Sequence, residues 1–353
     1  MTAMQPEPLV VGLDNGGTTN NATVLAGGRF LVDAMVESPS RVQEGPEAAV
    51  AALAAAYEQI LALTRVDPGR VAAVGLDTPG PASAAGVISE RGSTNFVHPA
   101  WRGYDVRSEL EKRLGVPVVY QNDGNAAALY AHRHHLGAHA DGGTSVSVIV
   151  GTGLGGGLVV NGRVLTGAAG MAGELGHVPI PLDGLLEPGQ PVPVCQCGTA
   201  GDAESVASLT AIEKHLLPYW LERHPEHRLA GEAPRTAARQ VRGLAEQGDG
   251  LALRIFEQQA AAIGRLLTIV ANVIDPDVYL LGGGVVEAAP TFRDWFLDRV
   301  REHTTLRAEQ RAVSTFALVP DLDMAGARGA ALAAAAAVPG GGRHEAPTGP
   351  FPG

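Results

Sequence analysis

The sequence predicts an α/β fold of two duplicated lobes around a central cleft. Two observations carry this. A short strand meander followed by alternating helices and strands appears once from residue 9 and again from residue 145. Each meander also turns on a glycine-rich tip at the corresponding place, Gly16-Gly17-Thr18 in the first and Gly151-Thr152-Gly153 in the second.

In order, the apolar run Leu9 to Leu13 reads as a strand, and Ala22 to Ala26 as its hairpin partner. A third strand is expected over Phe30 to Met35, and a helix over Ala48 to Leu63, where the apolar period changes from two to about 3.6. Strand Val71 to Leu76, a helix near Ser108 to Leu114, strand Val118 to Gln121 and a helix opening after Asp123 follow. The second pass has strand Ser145 to Val150, a turn over Gly151 to Gly156, strand Leu158 to Val160 and a reversal at Asn161-Gly162. Helices dominate from Ser205 to Val273. They give way to strand Val278 to Leu281, helix Thr291 to His303, strand Thr315 to Val319 and a last helix from Ala325. The expected division is a small lobe over 1–121, completed by the helix 325–338, a large lobe over 122–324, and a disordered Gly/Pro-rich tail over 339–353.

Composition narrows the function classes. With 45% hydrophobic and 18% charged residues, the chain has an ordinary globular balance. The apolar runs Ala331 to Val338 and Ala260 to Val273 are too short or interrupted to span a bilayer, so no membrane segment is expected. No leader pattern precedes the first strand, which makes a cytoplasmic protein the expectation. A net charge of −11 opposes a nucleic-acid partner. Lysine occurs only at Lys112 and Lys214, which excludes a Walker-type lysine loop; bound phosphate must be held by backbone N–H groups, hydroxyls, Arg or a metal ion.

Glycine tips of this kind let backbone N–H groups approach a phosphate closely, and Asp14, where the first strand ends, is placed to hold Mg²⁺ directly or through water. A third glycine run, Gly282-Gly283-Gly284, would let an adenine ring lie on flat backbone. Together they suggest a nucleotide held by Gly16, Gly17, Thr18, Thr152, Gly153 and Gly282 to Gly284, although a Gly-rich turn alone is often only a turn. Asn122 and Asp123 stand at a strand-to-helix junction, where they read either as helix caps or as cleft-facing site residues. Cys195 and Cys197, one residue apart, suit joint metal ligation better than a disulfide. His132, His134 and His135 could be taken for a second metal cluster but read better as a solvated helix face.

The ordered set Asp14-x-Gly-Gly-Thr18, Asp77-Thr-Pro-Gly-Pro81, Asn122-Asp-x-Asn125, Gly151-Thr-Gly-x-Gly155, Glu174-x-Gly-His177, Cys195-x-Cys-Gly198 and Gly282-Gly-Gly284 resembles the ROK group (repressors, open reading frames, kinases), within the actin-like (ribonuclease H-like) ATPase fold. The resemblance covers nearly the whole chain. It implies an ATP- and Mg²⁺-dependent carbohydrate kinase acting on a hexose, with glucose the commonest acceptor, and an assembly of two or four subunits. It makes Asp123 the catalytic base and Asn122, Glu174, His177 and Glu204 acceptor ligands, with Gly80 and Asn95 near them; the bland alternative for both glutamates is a solvated carboxylate. Structural zinc in this group is held by the histidine matching His177 and three cysteines. Here the third cysteine is replaced by Asp202, and His177, Cys195, Cys197 and Asp202 remain a chemically reasonable but weaker zinc set.

Two further departures bear on the acceptor. The proline-rich segment 178–194 is longer than the group's norm and could be a stiff lid or an inert loop. Thr19-Asn20-Asn21 stands where many relatives have a lysine after Gly-Gly-Thr, and kinases of C7-cyclitols are similar in this region, which leaves a sugar-like polyol as an alternative acceptor. A sugar-responsive regulator or non-catalytic sensor is the alternative of another class. Eight residues before the first strand leave no room for a helix-turn-helix, and an acidic chain suits none.

Overall fold

The first strand forms because Val10, Val11 and Leu13 bury completely, so β1 (Val10–Asn15) lies inside a sheet rather than at its edge. The computed structural model describes residues 9–90 and 95–338. Expectations for the leader region 1–8 and the tail 339–353 lie outside the described residues. The described chain divides into two compact units, 9–130 with 169–171 and 323–338, and 131–168 with 172–322.

In the first unit β1 pairs antiparallel with β2 (Thr19–Ala26), which carries β3 (Arg29–Phe30) and β4 (Glu37–Pro39). Of the expected third strand over Phe30 to Met35 only Phe30 lies in a strand, and the next strand, β4, begins beyond it at Glu37. Just past the expected strand, Val36 N donates to Asn21 Oδ1 at 3.1 Å, so a side chain of β2 holds the connection between β3 and β4. Helix α1 (Pro46–Thr64) starts with proline at its first turn and buries Val50, Leu53, Tyr57 and Ile60. It is the one helix among the described residues long and apolar enough to cross a membrane, and nine of its residues are buried in the core of this unit. Strand β5 (Ala73–Thr78) runs parallel to β1; α2 (Val106–Leu114) is capped by the Asp105 carboxylate and stopped by Gly115 at φ 67°. Strand β6 (Val118–Asn122) adds parallel to β5, leading into α3 (Asp123–Leu136), and the sheet order is β3-β2-β1-β5-β6 with β4 on β2.

The second unit repeats the pattern. β7 (Ser145–Val150) pairs antiparallel with β8 (Leu154–Val160), which pairs with β9 (Arg163–Val164). Strand β8 begins at Leu154 rather than Leu158, so its glycines are sheet residues and not turn residues. At Gly156 a Cβ would lie 2.7 Å from Ser147 O and 2.9 Å from Leu175 Cδ1, which is why side chains are missing there. Next come α4 (Ala203–Val206), α5 (Leu209–Ala211), a π turn over Ile212–Leu216, α6 (Leu217–Arg223), α7 (Pro234–Glu246) and α8 (Gly250–Ile274). β10 (Val278–Gly283), α9 (Pro290–His303), α10 (Ala308–Val313) and β11 (Thr315–Leu318) complete it, in sheet order β11-β10-β7-β8-β9.

The last helix, α11 (Leu322–Ala337), packs on the first unit's sheet at backbone contact. A Cβ on Gly12 would lie 1.9 Å from Ala327 O, one on Gly75 1.9 Å from Ala330 O, and one on Gly329 1.7 Å from Ala126 O. Three glycines thus remove the side chains that would hold this helix away from β1, β5 and α3.

His132 corrects the expectation of a solvated histidine face. It is fully buried, with Nδ1 2.8 Å from Ser145 Oγ and Nε2 2.7 Å from Ala140 O, and burial lowers its pKa. His134 and His135 are exposed, as expected. The segment 178–194 is pinned to α8: Arg265 donates to Pro181 O and Asp183 O, and Gln258 donates to Leu185 O and Gln190 Oε1. Ile180, Leu185 and Gln190 are buried beneath it. Four hydrogen bonds and a buried apolar underside describe an anchored surface segment, not a hinged lid.

Candidate active site

In the first unit the parallel register of β1 and β5 sets Asp14 beside Asp77, and that of β5 and β6 sets Thr78 beside Asn122. Asp77 is completely buried, and among the described residues no protein N–H or O–H reaches either carboxylate oxygen. Its neighbour across the register is the Asp14 carboxyl, and a bond between the two requires one of them to hold a proton. Burial, then the Asp14 charge and then that of Asp123 push the Asp77 carboxyl well above the usual range. Burial also raises Asp14, against the opposing bond to Asp77. Gly326 of α11 closes over the pair, for a Cβ there would lie 3.0 Å from Asp14 Oδ2 and 3.3 Å from Asp77 Oδ2. Two oxygen-rich groups with open lone pairs fit a hard divalent cation such as Mg²⁺.

The first hairpin tip is tight, with Gly16 N donating to Thr19 O at 2.8 Å. Gly17 lies against Asn95: a Cβ would stand 2.8 Å from its Oδ1. Thr18 is exposed beside them, and Gly80 lies half-buried in the loop leaving β5. At the β6–α3 junction, Gly124 N donates to Asn122 Oδ1 at 3.0 Å and to Asp123 Oδ1 at 2.7 Å. Both side chains cap the helix, and Asp123 is exposed. Asn20 and Asn21 are buried: Asn20 Oδ1 accepts from Asn15 Nδ2, and Asn21 Nδ2 donates to Asp323 O. Asn21 thus ties the first hairpin to the start of the last helix.

In the second unit the hairpin tip Gly151–Gly153 is braced by Leu209 N on Gly151 O, Thr210 N on Thr152 O and the Thr210 hydroxyl on the same oxygen. Glu204 Oε2 accepts from Leu154 N at 2.9 Å, and its Oε1 from the Cys195 thiol at 3.3 Å, so this carboxylate ties the phosphate hairpin to the cysteine loop. Glu174, exposed, opens the single 3₁₀ turn that ends in His177.

The four candidate zinc donors, His177, Cys195, Cys197 and Asp202, all lie within 4.8 Å of one another. His177 Nδ1 stands 3.7 Å from Cys195 Sγ and 3.5 Å from Asp202 Oδ2, and Cys197 Sγ stands 3.6 Å from Asp202 Oδ2. A tetrahedron with bonds of about 2.0–2.3 Å has edges of about 3.3–3.8 Å, so these three separations match zinc, and all four donors lie within 4.8 Å of one another. Without a cation, burial pushes the Cys195 thiol up; zinc reverses such a shift by binding thiolate.

Beside the second hairpin lies a largely apolar cavity of about 280 Å³, lined by Val150, Gly151, Thr152, Leu209, Ile212, Ala238, Arg239, Arg242, Phe256, Gln259, Gly284 and Val285. Of the late glycines only Gly284 lines it. Gly282 and Gly283 end β10, where a Cβ on Gly283 would be 2.0 Å from Val150 O. Arg242 hydrogen-bonds to Gly284 O. Sequence reasoning missed the walls supplied by α7 and α8, and also Asp77. For Asp77 the signal was present, a carboxylate ending a wholly apolar strand, whereas the helix faces look like any core.

The chain matches the ROK family over residues 10–337. A glucokinase of Thermotoga maritima is 33% identical over 286 residues, which cover 80% of this chain and 84% of that protein. A ROK hexokinase structure from Thermus thermophilus is 34% identical, with a TM-score of 0.70 and coverage of 92% and 97%. A ROK family glucokinase from Streptomyces griseus, solved in complex with glucose and AMPPNP, is 27% identical, with a TM-score of 0.67 and coverage of 92% and 99%.

Proposed function

This chain belongs to the ROK family, and we propose that it transfers the terminal phosphoryl group of ATP to a hydroxyl of a hexose, glucose first. The observation that carries this reading is the largely apolar cavity of about 280 Å³ beside the Gly151–Gly153 tip, room for a base next to backbone that could take phosphate. The relatives named glucokinase and hexokinase, one of them crystallised with glucose and an ATP analogue, support the donor and the acceptor class.

Asp123 is the base. Its carboxylate orients the acceptor hydroxyl and receives the proton as the O–P bond forms, a late and modest demand in a loose transition state. The two hairpin tips offer N–H groups to the phosphates, Gly16 to Thr18 in one unit and Thr152 and Gly153 in the other. Asp14, with Asp77 beside it, would hold Mg²⁺, which would supply positive charge to offset that of the phosphates. Asn122, Gly80 and Asn95 of the first unit, and Glu174, His177 and Glu204 of the second, are the residues assigned to acceptor recognition. Directional bonds of this kind reject analogues lacking a hydroxyl. His177 can do this through Nε2 while Nδ1 faces the zinc donors. His177, Cys195, Cys197 and Asp202 would hold zinc, which would rigidify the loop that presents Glu204.

The test is an acceptor panel of glucose, mannose, N-acetylated hexosamines and C7-cyclitols with MgATP. The highest kcat/KM is expected with glucose. A panel without turnover refutes the kinase reading, and a cyclitol optimum moves it to the alternative acceptor.

A further inference from the structure

Gln259 is 1% exposed, yet it lines the apolar cavity of the second unit. Its amide orientation is fixed by chemistry: Nε2 stands 3.0 Å from Ser208 O and 3.3 Å from Val206 O, and a carbonyl oxygen can only accept. Both amide hydrogens are therefore spent on the backbone just before Leu209, the residue that braces the hairpin tip. The remaining polar atom, Oε1, is an acceptor with no protein donor among the described residues. It is also absent from the set of sealed, unsatisfied atoms, although the side chain carrying it is almost wholly buried. An acceptor of this kind on the wall of an otherwise apolar cavity calls for a donor on the occupant.

We infer that Gln259 selects the base of the nucleotide donor, presenting Oε1 to the exocyclic amine of adenine. This rests on the nucleotide reading of the cavity given above and adds the means of choice. A base with an amine at C6 donates to Oε1. A base with a carbonyl there, hypoxanthine or guanine, sets two acceptors against each other. Because the amide cannot rotate without giving up two backbone bonds, it cannot adapt to the wrong base.

The test compares equilibrium binding of ADP, purine riboside diphosphate and IDP to the whole protein, which share ribose and diphosphate and differ at C6, IDP also carrying a proton on N1, together with kcat/KM for MgATP and MgITP. The expected order is ADP, then purine riboside diphosphate, then IDP, with ADP over IDP by about 10- to 100-fold. Gln259→Met, similar in length and volume, should bring ADP and IDP to within about threefold by weakening ADP. IDP binding as tightly as ADP to the natural protein overturns the inference while leaving the kinase reading intact. A folded Gln259→Met that keeps the full preference also overturns it. If that variant does not fold, the order among the three ligands decides, because purine riboside diphosphate at or below IDP contradicts acceptor repulsion. Binding of none of them removes the nucleotide reading, and this inference with it.

Discussion

Replacing Gly75 by alanine adds one methyl group in the middle of β5, a change that in an ordinary strand is neutral or stabilising because it reduces the freedom of the unfolded chain. Here the new Cβ would stand 1.9 Å from Ala330 O and 2.3 Å from its carbonyl carbon. Ordinary contact begins at 3.4 Å, so α11 must recede by about 1.5 Å. Neither side can yield by a rotamer change, since both are backbone. Receding also loosens the contacts at Gly12 and Gly329, which belong to the same helix face. A clash between fixed backbones belongs at or beyond the upper end of overpacking costs, about 3 kcal/mol. For a unit of this size that lowers the apparent Tm by about 6–12 °C. Gly243→Ala is the control: it lies inside α7 with nothing within 4 Å of its Cβ position, and it should gain about 0.5–1 kcal/mol. Scanning calorimetry of the three proteins decides the matter. A Gly75→Ala protein melting within 2 °C of the natural one (roughly 0.5–1 kcal/mol) would show that the close approach of α11 carries no such constraint.

Asp123→Asn should lower kcat for glucose phosphorylation by about 10²- to 10⁴-fold with unchanged circular dichroism; near-natural turnover removes the base assignment. Protein purified without chelator should contain close to one zinc per chain by elemental analysis. Prolonged chelation should lower the Tm, and a metal-free protein of full stability and activity refutes the site. Asp77→Asn bears on pH. A carboxyl whose folded pKa is raised costs nothing below its unfolded pKa and destabilises progressively as pH rises through the folded value. In metal-free buffer the variant should therefore gain stability over the natural protein as pH rises above about 4, the ordinary carboxyl value, and a gap constant with pH contradicts the buried pair.

What was legible in the sequence was what local chemistry fixes. Asp14, Gly16 and Gly17 are consecutive parts of one hairpin, Asn122 and Asp123 occupy one junction, and Cys195 and Cys197 one turn, so a linear motif reports a three-dimensional neighbourhood. The third strand was placed too long because the segment between β3 and β4 is held by a side chain of another strand, Asn21 on Val36 N, rather than by ladder pairing. His132 was misplaced because its partners, Ser145 and Ala140, come from beyond its helix. The cavity walls Ala238, Arg239, Phe256 and Gln259 carry no spacing that distinguishes them from core positions. Asp77 stood in plain view within a quoted motif. Its significance depends on parallel register with β1, which a sequence does not display.

The seating of α11 on β1 and β5 also imposes an order of events on synthesis. Asn21 and its partner Asp323 are 302 residues apart. At about 5–20 residues per second, the ribosome needs roughly 15–60 s to supply that helix after the first hairpin has emerged. During this interval one face of the nascent sheet, including Val10, Leu25 and Ala73, lacks the alanines that finally cover it. Carboxylates Asp14 and Asp77 likewise wait for Gly326. Cells making this protein must shelter an unfinished hydrophobic surface until the chain is almost complete, and premature termination before residue 322 would leave that surface permanently uncovered.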